Sequence, residues 1–120
     1  MNTAQALQAF WSNFNLSAYD ENTVPDKVEL PYITYESGDD FFGSRSAKSA
    51  SLWYRSPSWV EITEKEQEIA EYIGRGGRML AVDGGAIWVN RGSPWAQRMA
   101  EPSDNMVRRI VLNYEIEFIK

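Results

Sequence analysis

Neither histidine nor cysteine occurs in this 120-residue chain, so its reactive side chains are carboxylates, lysines, arginines, tyrosines and hydroxyls. That removes disulfides, thiol nucleophiles, Cys/His zinc sites, haem ligation and any Ser-His-Asp triad. Asp39-Asp40 beside Phe41-Phe42 offers hard oxygen ligands to a divalent cation. A calcium loop, however, alternates its acids and closes on a glutamate that is missing here, so the pair reads as a solvated acidic loop. Gly74-Arg75-Gly76-Gly77-Arg78 joins backbone N–H groups to two guanidiniums, as a phosphate cradle would. Its glycines follow a predicted helix instead of opening one, and no Gly-Lys-Ser/Thr element exists; helix capping and a bend explain it. Five glutamates at 61, 64, 66, 68 and 71 are spaced as an exposed helical face, too uniform to single out a glycosidase pair. Gly92-Ser93-Pro94-Trp95 holds a serine without a base. These patterns assign no catalytic residue, no cofactor and no metal ligand. A small cytoplasmic ligand-binding or carboxylate-based enzyme domain is the competing class. It would need a cleft joining Asp39 or Asp40 to the arginines, with shifted carboxylate pKa values.

Charge is more informative than any of these motifs. Seventeen acids against twelve bases give net −5, which disfavours non-specific nucleic-acid binding by the whole surface. Arg75, Arg78, Trp88, Arg91 and Trp95 are the only material for a basic aromatic stripe, too little for sequence-specific nucleic-acid recognition. Residues 20–40 carry seven acids and one lysine, whereas residues 72–114 carry six arginines against three acids. Two oppositely charged segments on one chain can meet head to tail between identical subunits and close a ring; pairing within one chain, or solvation alone, is the competing reading, since surface ion pairs are worth little. No apolar run approaches the ~20 residues of a membrane-spanning helix. Residues 1–16 lack the basic start and uninterrupted apolar stretch of a secretory signal, so the expectation is a cytoplasmic protein, or part of an assembly built there.

The elements that must position these groups follow from periodicity. With 43% apolar residues, five Trp, six Tyr and five Phe, the chain can build a core, and its size fits a single domain over residues 1–120. Residues 3–15 read as a helix, because Leu7, Phe10, Trp11 and Phe14 share one face. Residues 20–26 form a turn-rich loop, Tyr32-Ile33-Thr34-Tyr35-Glu36 a short strand after Pro31, residues 38–48 a loop, and residues 50–55 a second strand. A second helix over residues 63–73 starts with a Thr63/Glu66 capping box and buries Ile62, Ile69, Ala70 and Ile73. Residues 79–83 and 86–90 flank Gly84-Gly85 as a tight hairpin. Residues 91–105, with Pro94 and Pro102, read as irregular. Residues 106–119 alternate, with Ile110, Leu112, Tyr114, Ile116 and Phe118 on one side, and predict an unusually long strand. The class is α+β: a largely antiparallel sheet with two helices packed on one face, in the order α-β-β-α-β-β-β. The segments 39–48 and 93–105 are long polar loops, the kind that usually have a task. Asp39, Asp40, Arg75, Arg78, Trp95 and Arg98 are therefore the candidate interface residues, with Trp95 and Arg98 of hot-spot type. The competing reading of Trp95 is that it folds back to cover the sheet.

Several stretches resemble the tail-completion proteins of long-tailed bacteriophages, that is, tail terminators and tail-to-head joining proteins. They are Leu30-Pro31-Tyr32-Ile33-Thr34-Tyr35, the 59–73 segment, and Asp83-Gly84-Gly85-Ala86-Ile87-Trp88-Val89-Asn90-Arg91-Gly92-Ser93-Pro94-Trp95-Ala96-Gln97-Arg98-Met99. Arg108-Arg109-Ile110 with Asn113-Tyr114 completes the set. The resemblance covers most of the chain in order and carries no catalytic signature. It implies a non-enzymatic α+β virion structural protein, assembled in the host cytoplasm as a homohexamer ring on the head-proximal end of the tail tube. Its partners would be further copies of itself, the tail tube protein, and a head–tail connector or neck protein. A neck or head-completion protein of the same particle is the adjoining alternative. No binding residue transfers from the resemblance.

Overall fold

In the computed structural model, residues 1–38 and 43–120 are described. Helix α1 (Thr3–Trp11) starts at Asn2, whose side chain accepts the Gln5 N–H at 2.8 Å while Gln5 Oε1 accepts the Asn2 N–H at 2.9 Å. This reciprocal pairing satisfies two amides that every helix start leaves bare. A 3-10 turn (Ser12–Phe14) follows and ends on Asn15 at φ 59°, a left-handed conformation that asparagine tolerates.

Strands β1 (Ser17–Asp20), β2 (Tyr32–Tyr35) and β3 (Arg45–Arg55) precede helix α2 (Val60–Ile73); β4 (Arg78–Val82), β5 (Gly85–Met99) and β6 (Val107–Ile119) follow it. The described strands form one sheet in the order β1-β2-β3-β6-β5-β4, antiparallel except for β1 beside β2. The expected α+β class, with helices over one face, is what the chain adopts. The order gains a strand, since β1 shows only Ala18 to the core and is too short for periodicity to reveal. The long terminal strand lies at the centre of the sheet. Ile110, Leu112, Tyr114, Ile116 and Phe118 are buried under Leu7, Phe10 and Trp11 of α1, Phe14 of the 3-10 turn, and Ile62, Ile69 and Ile73 of α2. Trp11 meets Tyr114 edge-on at 5.2 Å between ring centroids. Lys65 Nζ donates to the Phe14 carbonyl at 2.8 Å, tying α2 to the end of the first helical segment.

Four further expectations change. The second helix begins at Val60, so Thr63 lies inside it with its hydroxyl buried and without a partner, and no capping box forms. Instead Ser56 Oγ accepts the Ser58 N–H at 3.2 Å, which turns the chain into an earlier start. Residues 45–48 are strand, because polar β3 is templated by the far end of β6, with Arg45 opposite Glu117 in a 2.8 Å ion pair. Residues 91–99 are strand as well: β5 bulges between Arg91 and Ala96 and re-forms against β6 as far as Met99. In the bulge, Gly92 rests on β6 so closely that a Cβ would lie 2.9 Å from the Asn113 carbonyl oxygen. Asn113 Nδ2 donates to the Pro94 carbonyl at 2.9 Å and to Gln97 Oε1 at 3.0 Å, holding the bulge to β6 where Pro94 has no N–H to give the ladder. The β4–β5 hairpin turns on Asp83-Gly84, with Gly84 alone at positive φ (81°) and Gly85 already in the strand.

Candidate interaction surfaces

Strand alternation sends every second side chain of β3, β5 and β6 away from the helices, so the two faces of the sheet present different chemistry. On the open face, four side chains form a row across the strands. Tyr19 of β1 meets Tyr32 of β2 edge-on at 6.2 Å, and Tyr32 stacks on Trp53 of β3 at 6.1 Å. The Arg109 guanidinium of β6 lies 4.6 Å from the Trp53 ring centroid. Trp53 Nε1 donates to Thr34 Oγ1 at 2.9 Å and Arg109 Nε to Ser51 Oγ at 3.2 Å, which fixes the indole and the guanidinium plane. A hollow of about 260 Å³ opens beside the row, with Glu21 on its rim. Burial raises the Tyr32 hydroxyl pKa, and the nearby charge of Glu101 adds to it. The sequence carried only part of the signal: Trp53 and Arg109 fall out of phase with the buried Leu52, Tyr54 and Ile110, which marks them for the open face but not for each other.

The helix-side end of the sheet holds a second cluster. Trp59, just ahead of α2, has the guanidinium of Arg98 4.8 Å from its ring centroid and that of Arg108 5.2 Å away. Arg108 is also anchored by the carbonyls of Ser56 and Pro57, at 3.1 and 3.0 Å. Arg98 is exposed. Trp95 is half-buried against the core, its indole N–H enclosed without an acceptor, so its ring covers the sheet.

The remaining candidates lie elsewhere. Arg75 is exposed in the turn after α2. Arg78 is folded onto Tyr72, its guanidinium 3.8 Å from the ring centroid and its Nη2 donating to the Tyr72 carbonyl at 2.7 Å. Arg75 and Arg78 thus share the α2–β4 corner, while Trp95 and Arg98 sit in the far half of β5. Asp39 and Asp40 lie outside the described residues. Gly77 belongs to the same corner for packing reasons, since at φ 82° a Cβ would run into Trp88 and Asn90.

Acid–base chemistry finds little support in the geometry. Among the described residues no three carboxylates converge as metal ligands would. The Ser37 hydroxyl and the Asn22 N–H hold the Asp20 carboxyl below its ordinary value. The Met106 N–H and Arg55 do the same for Asp104. Both acids therefore stay ionised, the opposite of a general acid. What the surfaces offer is stacking, paired charge and exposed strand edge.

No protein-family model and no curated protein matches the sequence. Among solved structures, a chain in the virion of a native gene transfer agent (GTA) particle has a similar fold, with a TM-score of 0.57. The likeness covers 95% of this chain and 95% of that chain at 18% sequence identity. It is a likeness of fold.

Proposed function

We propose that this chain is a non-enzymatic structural protein of a phage-like particle: a tail terminator that forms a ring at the head-proximal end of the tail tube. The observation that carries the reading is the shared fold, end to end, with a chain from a gene transfer agent virion. The order of sequence stretches that resemble tail-completion proteins supports the same reading. The mechanism is steric and interfacial. One ring face copies the contact that a further tube subunit would make, and the other presents a different surface to the connector or neck, so polymerisation stops and the head docks. Exposed Arg98, stacked on Trp59 beside Arg108, supplies a rim contact of the type that dominates protein interfaces.

The test is to mix the purified protein with tail tubes and image the tube ends. A ring, six subunits if the resemblance holds, at one end of each tube is the expected result. Decoration along the whole tube, or a single copy per end, excludes a terminator. Binding to the connector without binding to the tube reassigns the chain to the neck.

A further inference from the structure

The two ends of the sheet differ in charge. The β1–β2 connection, residues 21–31, helps line the hollow over β2 and β3 through Glu21 and Val24, and it exposes Glu21, Asp26 and Glu29 with Lys27 as the one base among them. Beside β4, the exposed bases are Arg75 in the preceding turn and Arg91 on neighbouring β5. None of these acids or arginines makes an ion pair among the described residues. Asp83, the acid at the end of β4, is held by the N-terminal amine at 2.7 Å.

The β4 edge also has open backbone. In a two-residue hairpin the closing residues, here Val82 and Gly85, exchange backbone hydrogen bonds. Alternation then commits Leu80 and Arg78 to β5 and turns the N–H and C=O groups of Met79 and Ala81 outward. The Asp83 N–H, next in that outward series, accordingly donates to the Met1 carbonyl at 2.8 Å. Met79 is 51% exposed. Between this edge and α1 runs a groove of about 360 Å³ whose apolar wall includes Ala6, Phe10, Tyr72 and Leu80. Unpaired edge backbone beside a groove with an apolar wall is the arrangement that accepts an added strand.

We propose that the β4 edge receives the acidic 21–30 segment of a second copy of this chain, joining subunits head to tail. Charge complementarity chooses the occupant: the segment is acidic where the edge is basic. Its Val28-Glu29-Leu30 stretch alternates as an added strand would, two apolar side chains toward the groove and one acid away from it. The donor segment joins β1 to β2 and the acceptor edge is β4, two different surfaces, so the contact is heterologous, and repeating it yields a ring or an open filament. Ring closure rests on the function proposed above; the contact itself does not.

The absence of cysteine makes the test clean. Ala81→Cys and Lys27→Cys variants of the full chain are mixed at high concentration and treated with a short bis-maleimide. The expected result is a mixed dimer well above either homotypic product, and a ladder of multimers from the doubly substituted chain. Arg75→Glu should weaken self-association about tenfold, as should Glu29→Arg, and the two variants mixed should restore it. Homotypic products at equal yield, no mixed product, or reversals that fail to rescue each other overturn the proposal. A closed ring on tube ends without the Ala81–Lys27 join removes this contact and leaves the terminator reading. The join within open filaments does the reverse.

Discussion

Gly92 is the residue where the β5 bulge admits no side chain. A methyl group there meets backbone, not a movable side chain, so Gly92→Ala should cost about 1–3 kcal/mol in urea unfolding, the usual range for overpacking. Asp20 sets an acid limit. The Ser37 hydroxyl and the Asn22 amide hold its carboxyl below the ordinary 3.8, so near pH 4 the folded chain binds fewer protons than the unfolded one. Its contribution is present above that pH and lost as pH falls through the lowered folded value. Asp20→Asn should flatten the decline of thermal midpoint between neutral and acidic pH; an unchanged slope would show the carboxylate does not matter. Tyrosines set the alkaline limit. Burial pushes the Tyr54 hydroxyl up to about 12, with Glu61 and Glu68 adding to it, and burial also raises Tyr114. As pH passes the unfolded value near 10, unfolded tyrosines ionise first, so stability falls from there upward and phenolate absorbance should rise together with unfolding. Trp95 and Arg98 separate packing from contact. Trp95→Ala should lose about 1.5–3 kcal/mol of burial and leave a foldable domain, whereas Arg98→Glu should keep the unfolding midpoint and, on the proposed function, impair tail joining.

The element that organises the molecule is β6. Its neighbours β3 and β5 are both longer than their own patterns announce, because each finds along β6 a partner for groups that would otherwise be unpaired. Leu112, fully buried at the centre of that strand, is the position to test. Leu112→Ala should cost about 2–5 kcal/mol. A loss below about half a kilocalorie would mean that the helices do not pack on this face. At the helical level, replacing Asn2 with alanine removes the side-chain half of the α1 cap and should cost about 1 kcal/mol, readable as a lower thermal midpoint.

At the scale of the whole molecule, net charge and edge charge act over different distances. Each subunit carries −5 and measures 45 × 31 × 23 Å. At ~0.01 M salt the screening length of roughly 30 Å spans a subunit, so like-charged copies repel. At ~0.15 M it falls to about 8 Å, which suppresses that repulsion while leaving pairs in contact largely intact. Self-association measured by light scattering should therefore pass through a maximum at intermediate salt. A steady fall from the lowest salt upward would show that attraction between edges outweighs net repulsion throughout.

What could be read from the chain alone was whatever a single element determines by its own period. The face of the first helical segment, the isoleucines of the α2 stripe (Ala70 is only half-buried) and the alternation of β6 bury the residues their spacing marks, because one side of each must leave water for the element to be stable. The existence of the β4–β5 hairpin, though not its exact turn residues, and the α+β class follow from similarly local rules. The rest depended on neighbours. Residues 45–48 and 96–99 carry no apolar alternation strong enough to mark a strand, and become one because β6 extends beside them. The earlier start of α2 is set by serine turns that only the folded corner arranges. Trp95 has the composition of a hot spot and the position of a cover, a choice made by the bulge beneath it. The Tyr19–Tyr32–Trp53–Arg109 row and the open β4 edge exist only once strand order is set, since they join residues that hydrogen bonding across the sheet, not spacing along the chain, brings together.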